Sequence, residues 1–360
     1  MEWDEKEGSR VVPALYLRES TAMYLLQVSS QESGGAARIA KDLYRTLRHR
    51  GEDCYLAVGR KGSDDPYVVE IPNTAYRDVR GRVLGTAQNL LLKHRIGSSR
   101  IAYGLAILGD PQRRRAYLQG MEDFNFPGTY HLLDLMPERP AIVHAHNLHT
   151  GYFDLRALPE LSQKVPFVLT LHDTWLLSGH CAYSLGCDRW RSGCGSCPDL
   201  AIYPRVRRDN TAYNWQRKRD IYARSRLFVV TPSQWLMEEV ENSILQAAIV
   251  EKRVIPNGVD QSVFCPGDKS AARYDLGLRQ DAWMALFVAV NARNNPFKDY
   301  RTLEKAIEQA ASQPNEQELL FVALGAEGVD RRIGNASIHH VSMQADPAKV
   351  AQYYLSLIHI

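Results

Sequence analysis

The densest concentration of reactive side chains lies between Phe167 and Pro198, FVLTLHDTWLLSGHCAYSLGCDRWRSGCGSCP, where an apolar run stops at a His-Asp pair and gives way to four cysteines. A short apolar run after Pro166 reads as a strand buried on both faces of a parallel sheet. Ligands of open α/β sheets bind at the carboxyl ends of such strands, which is where His172 and Asp173 fall. The plainer alternative is a core histidine bonded to a neighbouring loop. A second set, His144, His146, Asn147 and His149, crowds the end of a strand that begins at Ala141–Val143. H-x-H-x-x-H on a strand-to-loop turn does not define a metal geometry, whereas neutral imidazoles and an amide both donate and accept, as sugar hydroxyls do. A third set is Arg293 and Lys298, after the apolar run Ala285–Val290. An arginine fork and a lysine point charge at a strand end suit a diphosphate.

Cys181, Cys187, Cys194 and Cys197 form a C-x5-C-x6-C-x2-C pattern interleaved with glycines. Cys194-Gly195-Ser196-Cys197 has the form of a knuckle that brings two thiolates to one tetrahedral ion, so a structural zinc is expected, with free or disulfide-forming thiols as the alternative. A redox C-x-x-C is disfavoured, because the flanks lack the strand-to-helix placement that lowers a thiol pKa.

The elements that must position these groups alternate strand and helix. Met23–Val28 reads as the first strand, then Gly34-Gly35, then a helix with Ala36, Ile39, Leu43 and Leu47 at helical spacing and Gly51 as its stop. Strand, glycine pair, helix is a layout in which backbone N–H groups can meet a phosphate, although plain turn chemistry gives the same pattern. Cys54–Val58 is a further strand, and residues 60–140 are less regular, with Gln112–Arg115 as a solvated basic face. A helix packing Tyr152, Leu155 and Leu158 follows the histidines. The stretch Tyr203–Arg226 is basic and suits either a solvated helix face or an anionic lipid or phosphorylated acceptor. Leu227–Val230 is a strand, and Ser233 is the N-cap of the next helix. Turn residues gather near 261–268, the expected linker. Beyond it come strands at Ala285–Val290, Leu319–Leu324 and Ile338–Val341 and a helix at Arg301–Ala311. The division expected is a polar extension at 1–20, a first domain at 21–262 and a second at 263–360.

At 360 residues two domains are the default. An apolar share of 45%, a charged share of 24% and a net charge of +3 exclude a disordered chain and a polybasic nucleic-acid binder. Met1–Gly8 carries Glu2, Asp4, Glu5 and Glu7, the reverse of a secretory signal, and no apolar run approaches the roughly 20 residues that span a bilayer. A cytoplasmic protein is expected.

Together these residues resemble the retaining glycosyltransferases of family 4, which have the GT-B fold. The resemblance runs from about Met23 to Tyr354 and rests on Ser33-Gly34-Gly35-Ala36-Ala37-Arg38, His146-Asn147-Leu148-His149, His172-Asp173-Thr174-Trp175, the Gly/Cys loop Gly179–Pro198, Pro256-Asn257-Gly258-Val259-Asp260 and the Arg293…Lys298 pair. The cysteine loop is similar to that of enzymes building bacterial exopolysaccharides. The resemblance implies an α/β protein of two Rossmann-like domains with parallel sheets. It implies a nucleotide-diphosphate sugar as co-substrate, held in the cleft between domains by Arg293 and Lys298, with the Gly34-Gly35 loop over phosphate and acceptor. His172, with Asp173, would serve catalysis beside the donor sugar, and Val341-Ser342-Met343-Gln344 would touch the base. His146, Asn147 and His149 would face a glycan or lipid-linked acceptor, which implies peripheral contact with the inner membrane and no nucleic-acid partner. Family catalysis needs no metal: the leaving diphosphate is stabilised electrostatically and deprotonates the acceptor on the same face. The family continues past Tyr353-Tyr354 into a Glu-x7-Glu motif, whereas Leu355–Ile360 does not match. A truncated second domain with non-native last residues, binding donor poorly, is therefore expected.

Overall fold

Short apolar runs separated by helical segments can pair only as parallel strands with crossovers, and the first half of the chain does so. A computed structural model describes residues 23–93, 99–289, 295, 297–313 and 317–357. The chain divides into two units, one ending at Asn257 and the other beginning at Gly258. The first holds β1 (Leu25–Gln31), β2 (Cys54–Arg60), β3 (Val68–Glu70), β4 (Ile142–His146), β5 (Phe167–Thr170), β6 (Leu227–Thr231) and β7 (Ile249–Val254) in one sheet of order β3-β2-β1-β4-β5-β6-β7. Every pairing is parallel. Leu26, Val28, Val143, Ala145, Phe167, Leu169, Leu227 and Val229 make the centre of its core, all almost fully buried. Each such large side chain stabilises the sheet by about 1.5–3 kcal/mol. Strand order reverses between β1 and β4, and the crevice at such a switch point is where α/β sheets take ligands.

The helices of this unit are α1 (Gly35–His49), α2 (Val79–Lys93), α3 (Ser99–Leu108), α4 (Pro111–Gln119), α5 (Leu158–Lys164), α6 (Arg189–Ser192), α7 (Thr211–Tyr222) and α8 (Gln234–Glu241). In α1 the buried line is Ala37, Ala40 and Tyr44, one residue round from the predicted stripe, whose members are half-buried at its edge. Tyr152, Leu155 and Leu158 are buried as expected, although a 3-10 turn at Leu155–Ala157 precedes α5 because Pro159 can occupy only a helix start. Ser233 caps α8, its hydroxyl accepting from the Leu236 N–H. The irregular stretch 60–140 contains β3, α2, α3 and α4, none of them anticipated.

The second unit has β8 (Trp283–Val288), β9 (Leu319–Leu324), β10 (Arg331–Ile333) and β11 (Ala336–Val341) in the order β10-β11-β9-β8. β8, β9 and β11 are parallel and β10 pairs antiparallel at the edge. Helices α9 (Lys269–Asp275), α10 (Tyr300–Ala311) and α11 (Pro347–Leu355) accompany it. Arg273 is buried and its guanidinium donates to the carbonyls of Ser356 at 2.8 Å, Gln280 at 2.7 Å and Ala282 at 3.0 Å, tying α9 to the start of β8 and the end of α11. The molecule is thus an α/β protein with two Rossmann-like units, the architecture the resemblance implies. No helix among the described residues is long and apolar enough to cross a membrane.

Candidate active site

β1, β4 and β5 end side by side, and their parallel register sets His146 of β4 beside Thr170 of β5. Gln27 of β1 and His146 are almost fully buried there. His146 Nε2 lies 3.3 Å from Gln27 Oε1, and His146 Nδ1 lies 3.1 Å from His172 Nε2. Gln27 Oε1 only accepts, so His146 carries its proton on Nε2 and accepts at Nδ1 from the Nε2–H of His172. That assignment leaves Nδ1 of His172 as an acceptor. His144 stands beside this pair, its Nε2 2.7 Å from Thr170 Oγ1 and its ring centroid 4.3 Å from that of His146. Burial pushes His144 down to about 4, helped by the His172 charge, and lowers His146 and His172 as well. Three neutral imidazoles therefore sit together at neutral pH, a relay of donors and acceptors without charge.

Asp173 is fixed from three sides. Its Oδ2 accepts from Asn147 Nδ2 at 2.7 Å and from His149 Nε2 at 2.6 Å, and its Oδ1 accepts from the Trp175 N–H at 3.0 Å. Asn147 adopts φ 41°, a left-handed conformation that asparagine tolerates better than most residues, and its Oδ1 accepts the His172 N–H at 3.0 Å. One amide side chain thus clamps the two residues of the His-Asp pair to the β4 loop. His149 Nδ1 is buried and has no hydrogen-bond partner among the described residues. The structure brings His146, Asn147, His149, His172 and Asp173, which follow two separate strands in the sequence, into one network.

Beneath this network lies a residue that sequence pattern hides. Lys218 of α7 is completely buried, its Nζ donating to Glu122 Oε1 at 2.9 Å and to the carbonyls of Trp175 at 2.8 Å and Ser178 at 2.9 Å. The same ammonium lies 3.7 Å from the centroid of the Trp175 ring. All three donors are used, which is how a buried lysine is tolerated, although burial lowers its pKa. Trp175 and Ser178 bound the turn that follows Asp173, so Lys218 anchors the loop carrying the His-Asp pair. Its neighbour Arg217 is also turned inward, donating to Glu122 O at 3.0 Å and covering the Phe124 ring at 4.1 Å, while Arg205, Arg207, Arg208, Arg219, Arg224 and Arg226 of the same basic stretch are exposed.

The cysteine loop differs from its expectation. Among the described residues no group of three or more His, Cys, Asp or Glu side chains is placed to hold a metal ion, so the zinc site predicted at Cys181, Cys187, Cys194 and Cys197 is not supported. The sulfurs serve the loop itself. Cys194 Sγ accepts the Gly179 N–H at 3.2 Å, and Cys197 Sγ lies 3.4 Å from His180 Nε2 while its backbone N–H donates to Asp209. Burial raises the thiols of Cys181 and Cys197 and pushes Cys194 up to about 11, and all four are unpaired. Gly179 is where loop and α7 meet, a Cβ there falling 2.3 Å from Thr211 O.

Beside the network, a cavity of about 270 Å3 opens among Gln31, Arg60, Glu70, Asn73, Thr150 and Tyr152. At its wall Gly59 packs directly on Tyr152, since a Cβ there would fall 2.3 Å from that of Tyr152. Gly34 stands at φ 105° as the N-cap of α1, whose first residue is Gly35. In the second unit Lys298 is exposed, its backbone N–H bonded to Asn295 O at 3.1 Å, immediately before Asp299, which caps α10. Arg293 lies outside the described residues. Val341 ends β11 and is buried, Met343 is exposed, and Gln344 Nε2 donates to Ser342 O at 3.0 Å.

The sequence is 32% identical over 134 residues to an Escherichia coli K12 protein whose assignment as the colanic acid biosynthesis glycosyl transferase WcaC is provisional; the alignment covers 34% of this chain and 32% of that protein. The chain thus aligns with about a third of the length of this relative. An α,α-trehalose-phosphate synthase (UDP-forming) from Burkholderia vietnamiensis is similar with a TM-score of 0.45 and 10% identity, over 93% of this chain and 76% of that one. The UGT2 of Phytolacca americana, solved with UDP-2-fluoro-glucose and pterostilbene, gives 0.35 and 12%, over 84% and 66%. The model of Glycosyltransferase Family 4 matches residues 33–263, a span that begins beside the Gly34-Gly35 turn and takes in the whole histidine, Asp173 and cysteine-loop assembly. With more than half of its length inside that match, the chain belongs to Glycosyltransferase Family 4.

Proposed function

We propose that this protein transfers a sugar, a hexose, from a nucleotide-diphosphate donor to a glycan or lipid-linked acceptor with retention of configuration, in the building of a cell-surface polysaccharide. The observation that carries the proposal is the uncharged imidazole and carboxamide network at the carboxyl ends of β4 and β5, within the span that matches the family. In it His172 Nδ1 accepts from a hydroxyl of the donor sugar, and Asp173 orients His149 and Asn147 instead of exchanging protons itself, since its oxygens already accept three hydrogen bonds. The acceptor takes the cavity lined by Gln31, Arg60 and Asn73, next to Thr150.

The donor diphosphate falls to the second unit. Lys298 is a cation at the amino end of α10, where helix dipole and side chain favour the same anion, and Arg293 supplies a bidentate partner. The Gly34-Gly35 turn offers unobstructed backbone to phosphate, and Val341 to Gln344 meets the base. Asp173, the carboxylate of the network among the described residues, is occupied by three hydrogen bonds, which suits a reaction in which the leaving diphosphate takes the acceptor proton. No metal is required for this chemistry. The protein works in the cytoplasm at the inner face of the membrane.

Calorimetric titration of the chain with UDP and with GDP tests the donor assignment. Weak but saturable binding of one of them is expected, in keeping with a second domain that stops short of the family's Glu-x7-Glu motif, and it is weakened further, about tenfold or more, by Arg293→Ala. Binding of neither, or binding indifferent to Arg293→Ala, overturns it.

A further inference from the structure

The helices α2, α3 and α4 form a layer with two unlike sides. The inner side lines the polar cavity through Gly85, Gln88 and Asn89 of α2 and Arg113 of α4. The outer side is apolar and cationic. Val79, Val83 and Leu90 of α2 recur at helical spacing and are 67%, 63% and 52% exposed, and Ile101 and Leu108 on one face of α3 are 55% and 51% exposed. A groove of about 320 Å3 lies where the end of α3 meets α4, lined by Ile107, Leu108, Pro111 and Leu118 together with Arg80, Arg114 and Arg115. These arginines are exposed, and none has an acidic partner among the described residues. From Val79 to Gln119 the sequence carries eight Lys and Arg against one acid, Asp110. That acid is buried in an ion pair with Arg77, so within this stretch no exposed acid opposes the arginines, and the exposed acid next to it in sequence is Asp78, whose Oδ1 accepts the Gly81 N–H at the start of α2.

We propose that this outer face docks on an anionic lipid bilayer. Apolar side chains ringed by unpaired arginines match the two layers of such a surface, acyl chains below and phosphate headgroups above, whereas a water-facing helix layer would carry mixed charges. Docking by this face sets the polar cavity one helix layer from the headgroups, the distance at which an acceptor glycan still tethered to its lipid enters it. The purpose of the docking rests on the lipid-linked acceptor proposed above; the docking itself does not. The surface is distinct from the basic stretch around α7, whose central cations Arg217 and Lys218 are committed to Glu122.

Sedimentation with extruded vesicles of equal parts phosphatidylglycerol and phosphatidylcholine, against phosphatidylcholine alone, tests the proposal on the full chain. The chain is expected on the anionic vesicles. Neutralising a surface cation costs about fivefold in partitioning, so Arg80→Gln, Arg114→Gln and Arg115→Gln together lower it on the order of 100-fold. Val83→Ser with Leu108→Ser lowers it about tenfold and removes the binding that survives high salt. Arg219→Gln, Arg224→Gln and Arg226→Gln make the same charge change elsewhere and leave it unaltered. All substituted residues are exposed, and thermal melting checks that each variant folds. Equal binding to both vesicle types, equal loss from both triple variants, or a dimer in sedimentation velocity that the serine variant dissolves would each overturn the proposal, the last making the face a self-association surface. UDP titration of the same preparations separates the failures: vesicle binding lost with UDP binding intact sinks the docking face alone, and the reverse sinks the donor reading alone.

Discussion

The carboxyl ends of β4 and β5 and the segment before α10 hold the two halves of the proposed chemistry and are built in opposite ways. At the first, Asn147, His149, His172 and Asp173 are bonded to one another and braced from below by Lys218. At the second, Lys298 is exposed and its side chain has no partner among the described residues. Groups that accept hydroxyl hydrogen bonds must be aimed in advance, because a neutral hydrogen bond is short-ranged and directional. A cation awaiting a diphosphate needs no such frame, since its attraction reaches several ångströms and a bound partner would only compete. Order is spent where direction matters.

The sharpest way to break this contrast is at the brace. Lys218→Ala strands Glu122 as an unpaired buried carboxyl and frees two carbonyls, and a loss of about 3–5 kcal/mol in urea unfolding is expected. A loss below about 1 kcal/mol would mean the loop holds itself. Acid acts next. Unfolded imidazoles titrate near 6.5, and burial holds His144 down to about 4 with His146 and His172 lowered as well. Between those values the unfolded chain binds protons that the folded chain refuses, so stability is full above about pH 6.5 and falls as pH drops toward 4, by about 3 kcal/mol for His144 alone. Urea midpoints at pH 7 and pH 4.5 measure it, and His144→Gln should flatten part of the slope.

Asp173→Ala releases His149 and Asn147 together. Transfer is expected to fall about 100-fold while UDP affinity stays put, because misaligned groups slow the chemistry without touching the diphosphate. A fall in affinity instead would place Asp173 with the donor. Lys298→Ala should show the mirror image, about tenfold weaker UDP binding with an unchanged melting temperature. If Lys298→Ala melts early, the side chain is structural and the contrast between the two regions fails.

Much of this was legible in the sequence. LLFVAL at Leu319–Leu324 is a strand to the residue, and the apolar run Phe167–Leu171 places β5 within one, because strands covered on both faces have no polar alternation to blur them. The region 60–140 was not readable, for α2 turns Val79, Val83 and Leu90 outward, so its apolar stripe does not mark a core. Lys218 lay hidden among surface-type cations, since charge pattern along a chain does not say which lysine finds three buried acceptors. The cysteines mislead in the other direction: spacing states what four thiols can reach, while convergence depends on how Gly179, His180 and Asp209 already engage the loop.

The anchoring of the His-Asp loop by Lys218 also bears on how the protein is made. Lys218 follows Trp175, whose carbonyl it holds, by 43 residues. A chain synthesised from its amino end therefore exposes the loop well before its tether exists, and during that interval four thiols and an unclamped tryptophan are open to oxidants and to chaperones. The arrival of α7 ends that exposure for Trp175 in one docking event, while the four thiols stay partly exposed in the finished fold.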